Sequence, residues 1–93
     1  MTYGREHDLK TVGDFFEPIW RGDKTFELRK DDRGFNVGHV LVLREWSSQT
    51  GYSGRYIKAA VTYLLAGQPW MAPQYVAMGI QVYEKGGAKP PAE

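Results

Sequence analysis

The feature that most constrains the fold is a single short stretch of helical periodicity, placed near the start of a chain whose later apolar residues alternate. Its apolar side chains recur at i, i+3, i+4, i+7 and i+8, on one side of a helix: Val12, Phe15, Phe16, Ile19 and Trp20. Pro18 is poorly tolerated deep inside a helix, because proline lacks a backbone donor. A start near Asp14 is therefore favoured over one near Thr11. We predict a helix over residues 14–21, ended by Gly22 in the left-handed conformation.

The rest of the chain predicts strands. Residues 24–30, 40–46, 55–65 and 75–83 alternate with period two and are separated by turn residues, and residues 5–10 predict a further strand. Since closing a sheet removes its exposed edges, we expect a mainly β (α+β) fold, a small β-barrel of five to six strands with one N-terminal helix packed against it. The residues expected to be buried are Phe26, Leu28, Leu41, Leu43, Val61, Val76, Met78 and Ile80.

Length and cysteine usage narrow the class of protein. With 93 residues the chain can build one core, so we predict a single domain over residues 1–85 and a Gly- and Pro-containing flexible tail over residues 86–93. There are no cysteines, which excludes a disulfide scaffold, a thiol nucleophile and a cysteine-based zinc site. The first residues form no apolar signal segment and no apolar run approaches 18 residues, so we expect a cytoplasmic protein.

The charge balance limits the possible partners. Twelve basic and eleven acidic residues give a net charge of +1, far from the excess of a polybasic DNA-binding protein. Any role with nucleic acid must therefore come from a local patch. The sequence has neither a phosphate-binding loop of the G-x-x-x-x-G-K-[ST] type nor a dinucleotide fingerprint. Two histidines without cysteine argue against catalytic zinc. We expect no cofactor and no metal.

One motif resembles a known family. Residues 22–29 have the form G-x-K-x-x-E-x-R directly after the helix, which resembles the signature of the ASCH domain in the PUA-like superfamily. Further segments that match are residues 7–10, 15–16, 24–33, 37–38, 52–55, 61–63 and 76–80. Together they resemble a compact ASCH-like family of unassigned function found in bacteria and phages. The resemblance implies a PUA-like barrel with a cleft beside the helix, and a role in binding RNA or nucleotides.

The motif also brings charged residues together on one strand. Alternation predicts that Glu27 and Arg29 share one face, opposite a core face formed by Phe26 and Leu28. An arginine can fork to a phosphate or a base edge, and a glutamate can accept from an exocyclic amine. The alternative is a cross-strand ion-pair cluster on the barrel wall. Both interpretations stay open at the level of sequence.

The first functional hypothesis is a module that binds RNA or a nucleotide without chemistry. The predicted ligand-binding residues are Lys10, Lys24, Glu27, Arg29, Arg33, Tyr52 and Arg55. Aromatic residues at strand ends and in loops either stack bases or pack over the barrel: Trp46, Tyr52, Tyr56, Trp70 and Tyr75. His7 is either a proton carrier or ligand contact, or a surface residue, and His39 is expected at the surface.

The second hypothesis is an enzyme. Some proteins that resemble this one are N4-acetylcytidine amidohydrolases or ribonucleases, and Lys24 and Glu27 would then be the catalytic residues. Lys24 matches the lysine of the amidohydrolase type, but Glu27 occupies the place of its threonine. A neighbouring carboxylate also favours a protonated lysine, which is the wrong state for a general base. We therefore rank binding above catalysis. A third hypothesis is a phage or prophage accessory protein that binds a host protein.

Overall fold

The computed structural model describes residues 4–87 of the chain. Its elements are β1 (Glu6–Val12), α1 (Gly13–Arg21), β2 (Phe26–Lys30), β3 (Val40–Ser47), β4 (Gly51–Ala66) and β5 (Tyr75–Gly86). The five strands of this part of the chain form one sheet in the order β1-β3-β4-β5-β2. β1 runs parallel to β3, and the other neighbours are antiparallel. The mainly β prediction with one helix is confirmed. The sheet is a curled half-barrel with β1 and β2 as its two edges, and those edges do not pair with each other.

The core lies between α1 and the central strands. Phe16 and Ile19 of α1 are fully buried, and a side chain of this size contributes about 1.5–3 kcal/mol when it leaves water. They belong to one cluster with strand and loop residues: Leu9, Phe35, Leu41, Leu43, Ile57, Ala59, Val61, Val76, Met78 and Ile80. Six of the eight residues predicted to be buried are in this cluster, so the prediction is confirmed for β3, β4 and β5.

The prediction is wrong for β2. Phe26 and Leu28 are 53% and 56% exposed, whereas Glu27 is only 3% exposed. Glu27 lies opposite Met78 in the antiparallel pair with β5, and Arg29 lies opposite Val76. Because such partners point to the same side of a sheet, the two charged residues lie on the core side and the apolar residues point outward. β2 is an edge strand, so its core side opens onto the gap toward β1, where polar partners are available.

α1 buries a narrower stripe than its periodicity predicts. It begins at Gly13, and its N-cap Val12 makes no side-chain cap hydrogen bond. Phe15 remains 58% exposed and Val12 38% exposed. The buried stripe therefore consists of Phe16 and Ile19, and the neighbouring apolar face stays open to solvent beside β2.

The end of α1 fixes the position of Lys24. Gly22 has φ of 90°, the left-handed conformation predicted from the sequence. The turn brings the backbone N–H groups of Asp23 and Lys24 back to the Pro18 carbonyl oxygen, which accepts from both, at 2.9 and 3.1 Å. Lys24 is therefore held against the helix before β2 begins.

Two arginines cover the free edge of β1. Arg33 Nη1 donates to the Asp8 carbonyl oxygen at 2.7 Å, and Arg29 Nη2 donates to the Lys10 carbonyl oxygen at 3.2 Å. These carbonyls are two residues apart and point the same way from the strand. An uncovered edge would offer them to another chain. The two guanidinium groups thus span the seam between β1 and β2 where no backbone ladder forms.

The last strand extends slightly beyond the predicted domain. β5 runs to Gly86, which pairs with Tyr56 of β4. The rest of the predicted tail, apart from Gly87, lies outside the described residues. Within residues 4–87, no helix has the length and apolar character needed to cross a membrane.

Candidate functional site

A cavity of about 650 Å³ lies at the seam between β1 and β2, beside α1. β1, α1 and β2 each contribute consecutive or near-consecutive residues to it. Its lining residues are Lys10, Thr11, Val12, Asp14, Phe15, Pro18, Lys24, Phe26, Glu27, Leu28 and Arg29. Four of the predicted site residues therefore meet in one cavity, which we call the seam cavity: Lys10, Lys24, Glu27 and Arg29.

Glu27 is the centre of the polar contacts in the seam cavity. Its Oε1 accepts a hydrogen bond from Lys24 Nζ at 3.4 Å, and its Oε2 accepts one from Arg29 Nε at 2.8 Å. Arg29 Nη2 also donates to Thr11 Oγ1 at 3.0 Å. Charge-assisted bonds of this kind are strengthened by burial. One carboxylate thus orients two cations, and one of them connects β2 to β1.

Two exposed aromatic rings, those of Phe15 and Phe26, line the seam cavity. Lys24 Nζ lies 5.1 Å from the ring centroid of Phe15 and 5.3 Å from that of Phe26. Lys10 Nζ lies 4.2 Å from the ring centroid of Trp46. Each ammonium is within the range of a cation–π contact. Sequence reasoning missed Phe15 and Phe26 because it assigned both to the core. Phe15 follows the apolar period of the helix and Phe26 follows that of the strand, so no feature of the sequence indicated that either ring is exposed.

The charge and surface of the seam cavity indicate what it can bind. Three cations and two carboxylates, Glu27 and Asp14, line it, for a local balance of +1. The rest of its lining is mostly apolar, as is usual for sites that hold a small molecule with a few placed polar groups. Such a site suits a flat ring that carries an anionic group. Within residues 4–87, no three His, Asp or Glu side chains converge as a metal site would require.

Arg55 lies elsewhere, beneath α1. Its side chain is 2% exposed, and its guanidinium forks onto Glu45 at 2.8 and 2.7 Å while also donating to Glu17 at 2.7 Å. The guanidinium carbon lies 5.0 Å from the Phe16 ring centroid and 4.7 Å from that of Trp20. The hydrogen bond to Glu45 raises the pKa of Arg55. Arg55 therefore does not line the seam cavity with the other predicted site residues, and it joins the helix to the sheet.

Arg33 and Tyr52 also lie outside the seam cavity. Arg33 donates to the β1 edge, as described above, and Tyr52 is 59% exposed near the start of β4, opposite Trp46. No pattern in the sequence separates these two residues from those of the motif. Their separation follows from the register of β3 with β4 and from the turn after β2.

The two histidines form a pair at the other end of β1. His7 is 3% exposed, and its Nε2 lies 3.0 Å from His39 Nδ1. The His7 ring packs edge-on against Phe35, with 4.8 Å between centroids. Neither histidine lines the seam cavity. Burial, followed by the positive charges of His39, Arg5 and Arg33, lowers the pKa of His7, and only Asp31 opposes this.

The lowered pKa of His7 predicts a loss of stability in mild acid. The unfolded chain takes up a proton near pH 6.5, whereas the folded chain resists it. The contribution of His7 is therefore fully present above pH 6.5 and is lost as the pH falls below that value. We expect the melting temperature to fall between pH 7.5 and pH 5.5, and to fall less for His7→Phe. Equal slopes for the two proteins would contradict the assignment.

The fold and the seam cavity define a small α+β domain in which a curled sheet leaves a polar-floored cavity between its edges. The chain belongs to the family described as a domain of unknown function, DUF3850, which matches residues 6–80. The match runs from the start of β1 to the middle of β5 and so includes every residue that lines the seam cavity.

A phage protein is among the relatives of this chain. The "Uncharacterized 12.9 kDa protein in GpA 3'region" of Escherichia phage P2 is 32% identical to it over 65 residues. The aligned part covers 70% of this chain and 59% of the phage protein, so the chain spans little more than half the length of that relative.

Proposed function

We propose that the protein binds RNA or a nucleotide in the seam cavity. The observation that carries the proposal is the position of Lys24, a mostly buried cation that is held by Glu27 between two exposed phenylalanine rings. A nucleotide presents a flat base and an anionic phosphate, and these are the two groups that aromatic rings and ammonium groups bind. A cavity of about 650 Å³ is within the usual range for a ligand of this size.

Each lining residue has a distinct part in this proposal. The base packs on Phe15 or Phe26, and the phosphate is bound by Lys24 and Lys10. Glu27 fixes Lys24 and Arg29 in place before the ligand arrives, so less conformational freedom is lost on binding. The resemblance to ASCH domains supports the same function, and we propose that the curled sheet is a PUA-like half-barrel whose cleft is the seam cavity.

The geometry favours binding over hydrolysis. Both oxygens of Glu27 accept hydrogen bonds from cations. A general base needs a lone pair that can reach the proton of a substrate or of a water molecule. In this arrangement Glu27 would have to release a cation before it could act. The contact between Lys24 and Glu27 instead suits the placement of a positive charge.

Replacing Lys24 by alanine tests the proposal. We expect the affinity for nucleotides to fall at least about 10-fold, the size of one charge-assisted contact of about 1.4 kcal/mol or more. The melting temperature should fall only moderately, because Glu27 loses the partner of one oxygen but keeps its hydrogen bond from Arg29 Nε. The measurement is calorimetric titration at low salt with AMP, CMP, GMP and UMP, and with mixed-sequence hexaribonucleotides.

Lys30→Ala is the matched control for this experiment. Lys30 is exposed at the end of β2 and does not line the seam cavity, so its loss should leave binding unchanged. If the wild-type protein binds none of these ligands, the proposal fails. It also fails if Lys24→Ala lowers stability but binds as well as the wild type, because Lys24 would then be a structural residue.

A further inference from the structure

A second cavity adjoins the seam cavity and carries more positive charge for its size. It has a volume of about 300 Å³ and lies between the end of α1, the turn at Gly22 and β5. Arg21, Lys24 and Lys85 line it, and no carboxylate is among its described lining residues. Lys24 is the one described residue that lines both cavities. The surface at Gly22 is open, since a Cβ there would meet no atom within 4 Å.

We propose that the two cavities form one continuous site for a single-stranded RNA of several nucleotides, with one nucleotide in the seam cavity and the chain continuing over Lys24 into the second cavity. This inference rests on the proposed function and extends it from one nucleotide to a strand. It is carried by a different observation: Lys24 lines both cavities, and Arg21 and Lys85 add positive charge in the second one.

Charge complementarity selects a polyanion as the occupant. Five cations and two carboxylates line the two cavities together, a balance of +3 in a chain whose net charge is +1. Asp23, which pairs with Arg21 beside the second cavity, lowers the local balance to +2, still above the net charge of the whole chain. A mononucleotide in the seam cavity reaches only the cations at one end. A strand places successive phosphates along the others, and each contact releases counterions.

Stacking surfaces favour a nucleic acid strand over an acidic peptide. Trp20 lines the second cavity, and Phe15 and Phe26 line the first. Lys85 Nζ lies 4.8 Å from the Trp20 ring centroid and donates to the Trp20 carbonyl oxygen at 3.0 Å. The Trp20 ring is already packed on Phe16, with 5.8 Å between centroids, and has Arg55 and Lys85 against it, so the exposed stacking surfaces are those of Phe15 and Phe26. Bases stack on exposed rings whatever their sequence, whereas acidic side chains offer nothing to them.

Arg21 is the residue best suited to test the second cavity. Its side chain is 54% exposed and, among residues 4–87, it pairs with Asp23 alone, which is 70% exposed, so the pair is weak and easily replaced by a phosphate. Arg21→Gln should therefore fold normally. Lys85 is less suitable, because it also binds the backbone at the end of α1.

The experiment compares ligand length with the Arg21→Gln substitution. Titrations use adenosine and uridine ribonucleotides of one, two, four and six units at several salt concentrations, with a hexaglutamate peptide as competitor. We expect affinity to rise at least about 10-fold from one to four units. Arg21→Gln should weaken the tetranucleotide far more than the mononucleotide, and reduce the salt slope by about 0.7, the value for one phosphate contact on a single strand. Lys30→Gln should change neither.

The outcomes separate this inference from the proposed function. If mononucleotides bind as tightly as tetranucleotides and Arg21→Gln weakens both equally or neither, the strand site is overturned while the proposed function stands. If hexaglutamate displaces the tetranucleotide at equal concentration, the occupant is not specifically a nucleic acid and the inference fails. If no ribonucleotide of any length binds, both proposals fail together.

Discussion

Arg55→Ala is expected to lower the free energy of unfolding by about 3 kcal/mol, the lower end of the range for removing one partner of a buried ion pair. Arg55 is enclosed by the rings of Phe16 and Trp20, and its guanidinium is the shared partner of Glu45 and Glu17. Its loss leaves two carboxylates facing the same space and opens a cavity under α1. The carboxylates are 19% and 33% exposed and can regain water, so the upper end of the range is not expected.

Arg44→Ala is the control for this prediction. Arg44 also pairs with a carboxylate, that of Asp8, but the two side chains are 47% and 67% exposed. Exposed pairs contribute about 1 kcal/mol or less. Urea unfolding of both variants gives the comparison. A loss below about 1 kcal/mol for Arg55→Ala would contradict the structural role. A stable Arg55→Ala protein that no longer binds nucleotides would instead restore the predicted ligand contact.

Two parts of the fold could be predicted from the sequence: the helix end, which depends on local backbone chemistry, and the buried faces of the strands inside the sheet. Gly22 ends α1 where the sequence indicated, because only a residue without Cβ adopts its φ easily. Leu41, Leu43, Met78 and Ile80 are buried as predicted, because β3 and β5 lie within the sheet and these residues join one core cluster that includes residues of α1. For such strands, alternation gives the buried face directly.

For β2, alternation alone does not determine which face is buried. Its alternation fits two registers equally well, with the apolar pair or the charged pair on the core side. The choice depends on strand order, which places β2 at the edge and opposite β1, and strand order is a long-range property. Glu27 can be buried because Lys24 and Arg29 pair with it. The sequence placed these charges close together, but it could not show that they line a cavity.

The sequence predicted the residues at the centre of the candidate site correctly, but it also assigned to the site a residue that lies elsewhere. Lys10, Lys24, Glu27 and Arg29 do meet, although Lys10 comes from a strand 14 positions before Lys24 in the sequence. Arg55 carries the same charge and follows a glycine in a similar way. It is separated from the others by α1, whose Glu17 reaches it across 38 positions of sequence. Composition and local spacing cannot predict contacts between residues so far apart in the sequence.

Glu27→Gln should have the largest effect of any single substitution in the seam cavity. We expect it to lower the free energy of unfolding by about 2 kcal/mol, within the range for leaving buried polar groups without their partners. The carboxylate accepts from a cation at each oxygen, whereas an amide has only one acceptor oxygen. Its NH₂ group would face either Lys24 or Arg29, donor against donor. Glu6→Gln is the control, since Glu6 is 58% exposed and lies 3.7 Å from its partner Lys58.

Glu27→Gln should also weaken nucleotide binding about 10-fold, because Lys24 and Arg29 are no longer held in place, although the cavity becomes more positive by one charge.

Adding Lys24→Met to Glu27→Gln tests whether the two side chains act together. If the amide of residue 27 opposes Lys24, the double variant should be more stable than Glu27→Gln alone, and a double-mutant cycle should give a coupling of about 1 kcal/mol or more. Additive losses in the cycle would show that the two side chains do not act together. Tighter nucleotide binding by Glu27→Gln would show that the net charge of the seam cavity, and not the placement of Lys24, determines its affinity.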